Sequence, residues 1–278
     1  MTVKNTEGVV SRSGGPALYQ FTAAPEDARA IVAIVHGYAD HGKRYAAVQE
    51  AWAKKGIGSI AIDLRGHGRA EGTRGYCDRF DQFVDDVDEL TKLVNQTFPN
   101  KPAFLFGHSF GGLVTPTLLR RSPGQYRGLL LSNPYFKLAL QVPFVKVLAG
   151  KIASRIVPKF GIPTGLGGEA LTHDKKLAAA YDKDPLVFKN ATARWFTETV
   201  KAQAAALANA SKLTLPLYVA LGTGDPVVDC AGGRAFYESA SSKDKTKREY
   251  EGLLHEILNE PAWPSIADAM AEWVLERA

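Results

Sequence analysis

The sequence predicts an α/β fold: a mostly parallel central sheet flanked by helices and interrupted by one helical insertion. Three observations predict it. Short apolar runs alternate with amphipathic stretches through residues 1–133. Most of these runs end in a cluster that pairs glycine or proline with histidine, aspartate, serine or asparagine. The strand pattern then lapses over residues 134–212 and returns over 213–278. Alternation of this kind implies parallel strands with right-handed crossovers. Reactive side chains in such sheets gather beyond the carboxyl ends of the strands.

In chain order, Glu7–Val10 and Ala17–Thr22 read as short strands separated by the turn cluster Ser13-Gly-Gly-Pro16. Ala30–Val35 is a β-branched run, expected to be buried on both faces, and it ends at His36-Gly37-Tyr38. A helix over about Tyr45–Lys55 leads to a second buried strand, Gly58–Ile62, which ends at Asp63-Leu-Arg-Gly-His67-Gly68. Phe80, Phe83, Val84, Val87, Leu90 and Val94 recur at helical spacing with acids between them. The strand Ala103–Phe106 follows, then Gly107-His-Ser109-Phe-Gly111 and an apolar helix to Leu119. Arg127–Ser132 is one more strand. From Tyr135 to Lys212 no strand is expected: apolar helix, a Gly/Pro loop over Gly161–Gly168, then helix again. Leu215–Leu221 restores the sheet and ends at Gly222-Thr-Gly-Asp225-Pro. A helix over about Ala231–Ala240, a charged loop at Lys243–Arg248, a strand at Arg248–Glu251 and a helix at Pro264–Leu275 complete the chain.

The 278 residues are 45% hydrophobic and 23% charged, ordinary values for a globular α/β protein. The net charge of +5 is spread over scattered Lys and Arg, so no nucleic-acid surface is expected. Two cysteines, Cys77 and Cys230, make no disulfide framework. No Cys/His or carboxylate cluster has ligand spacing, so neither metal nor cofactor is expected. The amino terminus lacks the apolar core of a signal peptide, and no apolar run approaches the ~18 residues of a membrane span. A reducing cytoplasm is the expected compartment, with a peripheral membrane contact through the insertion compatible with it.

A strand, a Gly-x-Ser-x-Gly turn and a helix in that order hold a serine in a strained conformation, with helix amides aimed at the same point. A serine hydroxyl needs a base, usually histidine, and a carboxylate that fixes the imidazole tautomer. In sheets of this kind the order is serine, acid, histidine. Only His173 and His255 follow Ser109, and His173 falls in the insertion, so His255 is the expected base. Asp225 at a strand end is the preferred acid, with Asp229 its rival. The backbone amides of Phe110 and Tyr38 are the expected oxyanion donors. His36, Asp63 and His67 are expected to organise loops.

These motifs resemble those of the α/β-hydrolases. They are His36-Gly-Tyr-Ala-Asp-His-Gly-Lys-Arg-Tyr45, Asp63-Leu-Arg-Gly-His-Gly68, Gly107-His-Ser-Phe-Gly-Gly112, Gly224-Asp225 and Gly252-Leu-Leu-His255. More narrowly, together with Asp184-Pro-Leu186, they are similar to the monoacylglycerol lipase/lysophospholipase family of serine hydrolases. The resemblance implies an α/β-hydrolase core over 1–133 and 213–278, with a helical cap over 134–212. It implies a small-molecule lipid ester as substrate, its acyl chain held by an apolar cap. Phe136, Leu138, Phe144, Val145 and Leu148 are the candidate lining residues. Two departures stand out: Phe110 where methionine is frequent, and a bulky Tyr38 that is expected to narrow the pocket. A lysophospholipase, thioesterase, carboxylesterase or acyltransferase would use the same triad. A non-catalytic ligand-binding homologue is the distant alternative.

Overall fold

In the computed structural model, residues 2–139 and 144–278 are described, the side chains of residues 144–147 excepted. Ten strands and eight α-helices are described. The strands are β1 (Val3–Val10), β2 (Leu18–Pro25), β3 (Ala30–Val35), β4 (Ile57–Asp63), β5 (Ala103–His108), β6 (Gly128–Ser132), β7 (Gly161–Pro163), β8 (Asn190–Thr192), β9 (Leu217–Gly222) and β10 (Lys245–Tyr250). The helices are α1 (Ala46–Lys54), α2 (Asp81–Thr97), α3 (Phe110–Arg121), α4 (Phe144–Ile156), α5 (Lys175–Lys183), α6 (Ala193–Ala208), α7 (Cys230–Ser239) and α8 (Trp263–Leu275).

Eight strands form one sheet in the order β1-β2-β4-β3-β5-β6-β9-β10. The pairs from β4 onward are parallel, while β1 and β2 are antiparallel, as the leading turn cluster implies. The buried run Ala30–Val35 sits centrally, and its residues alternate between two apolar layers. Ile31, Ala33 and Val35 face the layer that holds α2 and α3; Ala30, Val32 and Ile34 face the layer that holds α1 and α8. Register aligns the strand ends: Val35 pairs with both Ile62 and Gly107, His108 with Ser132, and Ser132 with Ala220. The loops after β3, β5, β6 and β9 therefore open at one edge.

Two expectations are corrected here. Lys243–Arg248 is not all loop: Lys245–Tyr250 is β10, paired in parallel with β9. This strand is largely hydrophilic because it is the sheet's outer edge, where lysines discourage pairing with another chain. The segment between β6 and β9 also contains strand: Gly161–Pro163 pairs antiparallel with Asn190–Thr192. Three-residue strands of Gly, Pro, Asn and Thr carry no apolar alternation by which sequence would reveal them. No described helix is long and apolar enough to cross a membrane.

Candidate active site

Ser109 lies between β5 and α3 with φ +49° and ψ −113°, a left-handed conformation costly for a non-glycine residue. The flanking glycines make that turn possible. A Cβ at Gly107 would lie 2.6 Å from Gly111 O and from Thr115 Oγ1, and one at Gly111 would collide with Val35 O. The turn is tied to the next strand by Ser109 N donating to Ser132 O at 2.9 Å. Phe110 N is the first amide of α3 and has no acceptor within the helix. The loop after β3 closes against the same point, since a Cβ at Gly37 would stand 3.4 Å from Ser109 Cβ.

His255 follows β10, and its Nδ1 lies 2.6 Å from Asp225 Oδ2. The side chain of Asp225, in the turn after β9, is fully buried. Its Oδ1 accepts from Val227 N at 2.7 Å and Val228 N at 3.0 Å; its Oδ2 also accepts from Asn133 Nδ2 at 2.6 Å. Burial alone would raise this carboxyl, but His255 and the two backbone amides outweigh burial and hold it below the usual carboxylate range. Asp229 instead caps α7 through Ala231 N and pairs with Lys137. His173 is mostly exposed and bonds Glu260. No hydrogen bond joins Ser109 to His255 among the described contacts; in free enzymes this contact often tightens only with substrate.

Ser109, Phe110, Tyr38 and His255 share one cavity of about 330 Å³. Its remaining wall is chiefly apolar and comes largely from the segment between β6 and β9, including Leu138, Ile162, Leu166, Trp195 and Phe196. Of the five expected lining residues, Leu138 is on this wall. Phe136 is not: it stacks on Phe236 at 4.4 Å, in the core beneath α7. Leu148 is also displaced, half exposed on the outer face of α4. The Phe144 and Val145 side chains lie outside the described residues. For Leu148 an apolar run does not say which face of the helix meets the cavity; Phe136 precedes α4 in irregular chain rather than in the expected helix, and there it turns into the core.

The remaining histidines and Asp63 hold loops. His36 donates from Nδ1 to Gly37 O and accepts Leu64 N at Nε2, which fixes a neutral ring. Asp63 accepts from Gly42 N and Arg69 N. His67 bonds Arg65 O, and burial depresses it to about 3. His108 bonds Ser132, and burial with the neighbouring His255 takes it down to about 4.

A family described as "Serine aminopeptidase, S33" (Hydrolase_4) matches residues 26–262. The chain belongs to this α/β-hydrolase family. The hydrolase is 31% identical over 260 residues to a monoacylglycerol lipase of Mycolicibacterium smegmatis, which covers 93% of this chain and 92% of the relative. It is 32% identical to the phospholipase YtpA of Bacillus subtilis, over 84% of this chain and 90% of that one. Its fold superposes on the monoacylglycerol lipase of Paleococcus ferrophilus with TM-score 0.85 and 27% identity, covering 94% and 99% of the two chains.

Two features of the hydrolase site were invisible in the motifs. Asn133, at φ +39° after β6, accepts Gly222 N on Oδ1 and donates to Asp225, so it anchors the acid to two strand ends. Its only sequence signal is a polar residue closing an apolar strand before proline. The second is a buried ionic cluster beside His255. Arg44 forks onto Glu256 with two 2.6 Å bonds and reaches Asp40 at 3.0 Å, and its guanidinium lies 4.9 Å from the Tyr181 ring centre. Both carboxyls are driven up by burial and brought below their usual range chiefly by Arg44. Partners 212 residues apart give no local pattern.

Proposed function

We propose that this hydrolase cleaves the carboxylic ester of monoacylglycerols, or of similar single-chain lipid esters, through an acyl-enzyme on Ser109. One observation carries the reading: His255, whose Nδ1 lies 2.6 Å from Asp225, opens on the same apolar cavity as Ser109. Ser109 Oγ attacks the ester carbonyl while His255 Nε2 takes its proton. Asp225 keeps the other ring nitrogen protonated and steadies the imidazolium. The amides of Phe110 and Tyr38 receive the oxyanion, a contribution worth roughly 3–4 kcal/mol per donor. The glycerol leaves with the proton from His255. Water, deprotonated by the same ring, then attacks the acyl-enzyme and releases the carboxylic acid and Ser109.

The segment over 134–212 acts in this reading as a cap that accepts the acyl chain, and Asp184 fastens it to the core by bonding His41 Nε2 at 2.9 Å. Its outer face presents Ile152, Ile156, Val157 and Phe160 to solvent beside Lys151, Arg155 and Lys159, a surface suited to resting on an anionic bilayer. A peptidase activity, as the family description names, is less well supported. Binding a free amino terminus needs an available carboxylate, and Asp40 and Glu256, the two acids on the cavity wall, are already engaged by Arg44.

The test is a rate profile across monoacylglycerol chain lengths, with Ser109→Ala as control. Turnover that depends on chain length and disappears in Ser109→Ala is expected. Fluorophosphonate labelling that survives Ser109→Ala would overturn the reading. The phospholipase relative makes lysophosphatidylcholine the comparison substrate; equal rates on both head groups would remove the glycerol preference.

A further inference from the structure

A second cavity lies outside the triad site. It measures about 520 Å³ and opens between the start of α2, the end of α3 and the far half of α6. Its floor is apolar and buried: Leu119, Tyr126, Ala202, Ala206, Leu213 and Phe236. Successive alanines on α6 leave the groove where larger side chains would fill it. Two hydroxyls of this wall are already committed. Tyr126 OH bonds Thr91 Oγ1 at 2.8 Å, and Thr117 Oγ1 donates to Leu113 O at 3.2 Å. Over the buried floor a polar ligand body would therefore find no free side-chain partner, whereas an alkyl chain loses nothing by entering.

The rim has the opposite character. Arg79, Arg120, Lys201 and Lys212 stand around it with Asp81 and Glu198. Glu198 is engaged by Lys201 Nζ at 2.7 Å and by Phe80 N at 3.3 Å. The side chains of Arg79, Arg120 and Lys212 make no ion pair or hydrogen bond among the described contacts. Asp81 opposes them alone, so the mouth keeps a cationic excess over an apolar floor. Charge and polarity together specify the occupant.

We infer that this groove binds a single-chain amphiphilic carboxylate, its alkyl chain along α6 and its carboxylate at Arg120 and Lys212. The inference rests on the proposed function only for where such a ligand arises, since ester cleavage would release one. The groove also shares α6 with the catalytic cavity: Trp195 and Phe196 line that cavity from the helix start, and Ala202 and Ala206 line this one. Product bound here would act on the helix that shapes the acyl pocket.

The probe is dodecanoate carrying a terminal diazirine, below its micellar concentration, with dodecanol as uncharged competitor. Photolabel mapped by peptide mass spectrometry is expected on residues 116–126 and 201–215 as well as in the triad cavity. Arg120→Glu with Lys212→Glu, both exposed, is expected to cut labelling of the groove at least tenfold, leaving turnover of p-nitrophenyl acetate unchanged. Ala206→Trp should do the same by filling the floor. Labelling confined to the triad cavity overturns the inference. So does labelling indifferent to the double charge reversal, or displaced equally by dodecanol and dodecanoate. Ester turnover is measured on the same samples: charge-dependent groove labelling without turnover would leave this site standing and defeat the catalytic reading instead.

Discussion

Tyr38 lies flat against Trp195, ring centres 3.7 Å apart and planes 26° from parallel. The two residues come from opposite sides of the cavity, Tyr38 from the loop after β3 and Trp195 from the first turn of α6. The Tyr38 hydroxyl sits 3.0 Å from Gly75 O and 3.1 Å from Asn190 O, sharing its proton between them. Phe188 and Phe110 meet its edges at 5.2 and 6.0 Å. A residue expected from sequence to serve through its amide, and to narrow the pocket, joins the loop after β3 to the insertion through its ring and hydroxyl.

Trp195→Ala should therefore slow catalysis as well as weaken the fold. Truncating a buried tryptophan costs roughly 3–5 kcal/mol. If the stack positions the Tyr38 amide, kcat on a short p-nitrophenyl ester falls while KM changes little, and Trp195→Phe restores most of it. A rise in KM alone would assign Trp195 to substrate contact rather than to the loop.

Asn133 bears on the acid. Asn133→Ala leaves Gly222 N–H without its acceptor and Asp225 Oδ2 without one donor, a loss of about 1–3 kcal/mol in a buried site. We expect kcat to fall about ten- to a hundredfold with near-native far-UV and near-UV circular dichroism. Asn133→Asp, which sets a second carboxylate against Asp225, should be worse. Kinetics equal to wild type in Asn133→Ala would show that the amides of Val227 and Val228 suffice to hold Asp225.

The Arg44–Glu256 pair is a stability prediction. Removing one member of a buried pair strands the other and costs roughly 3–5 kcal/mol, while replacing both with apolar residues costs less. Urea unfolding of Arg44→Met, Glu256→Met and the double variant forms the cycle. The double variant is expected to be more stable than the sum of the singles implies; strict additivity would mean the two groups do not interact.

Legibility in the sequence followed periodicity and chain order. The central strands were readable because runs such as Ala30–Val35 are apolar on both faces, and Ser109 because its glycines are sterically compelled. Asp225 and His255 were singled out by order along the chain, and the fold brings Oδ2 of one to 2.6 Å from Nδ1 of the other. What escaped has no short-range signature: the hydrophilic edge strand β10, the β7–β8 ribbon, and the Arg44–Glu256 and Tyr38–Trp195 contacts made by tertiary packing. Where the first helix of the insertion begins and which face it turns inward were also hidden: Phe136 lies ahead of α4 and Leu148 on its outer face, which is why both were misassigned to the cavity.

Membrane contact is tested on the outer face of the insertion. Each apolar side chain moved from water into the lipid boundary is worth roughly 1.5–3 kcal/mol. Ile152→Ser, Ile156→Ser and Phe160→Ser together should reduce partitioning onto anionic vesicles at least tenfold, with turnover of a soluble short ester unchanged. Vesicle flotation identical to wild type would remove this face as the contact.

Acid should destabilise the protein earlier than its carboxylates would dictate. His36, His67 and His108 are buried and burial lowers all three, His67 to about 3 and His108 to about 4. In the unfolded chain each titrates near 6.5. Between that value and the folded values, the unfolded chain binds protons that the native chain refuses, so stability is full above about pH 6.5 and falls as pH drops. The slope reaches roughly 1.4 kcal/mol per pH unit for each such histidine. Asp40, Asp225 and Glu256 are all held below the usual carboxylate range, so their contribution is lost only as pH falls toward the unfolded-chain carboxylate range of about 4, below the interval from pH 7 to 5 where the histidines act. Urea unfolding at pH 7, 6 and 5 should therefore give a steadily falling free energy, and His108→Gln should flatten it by about one histidine's share. A profile level from pH 7 to 5 would mean that these rings take up protons in the native state, against the burial that lowers all three.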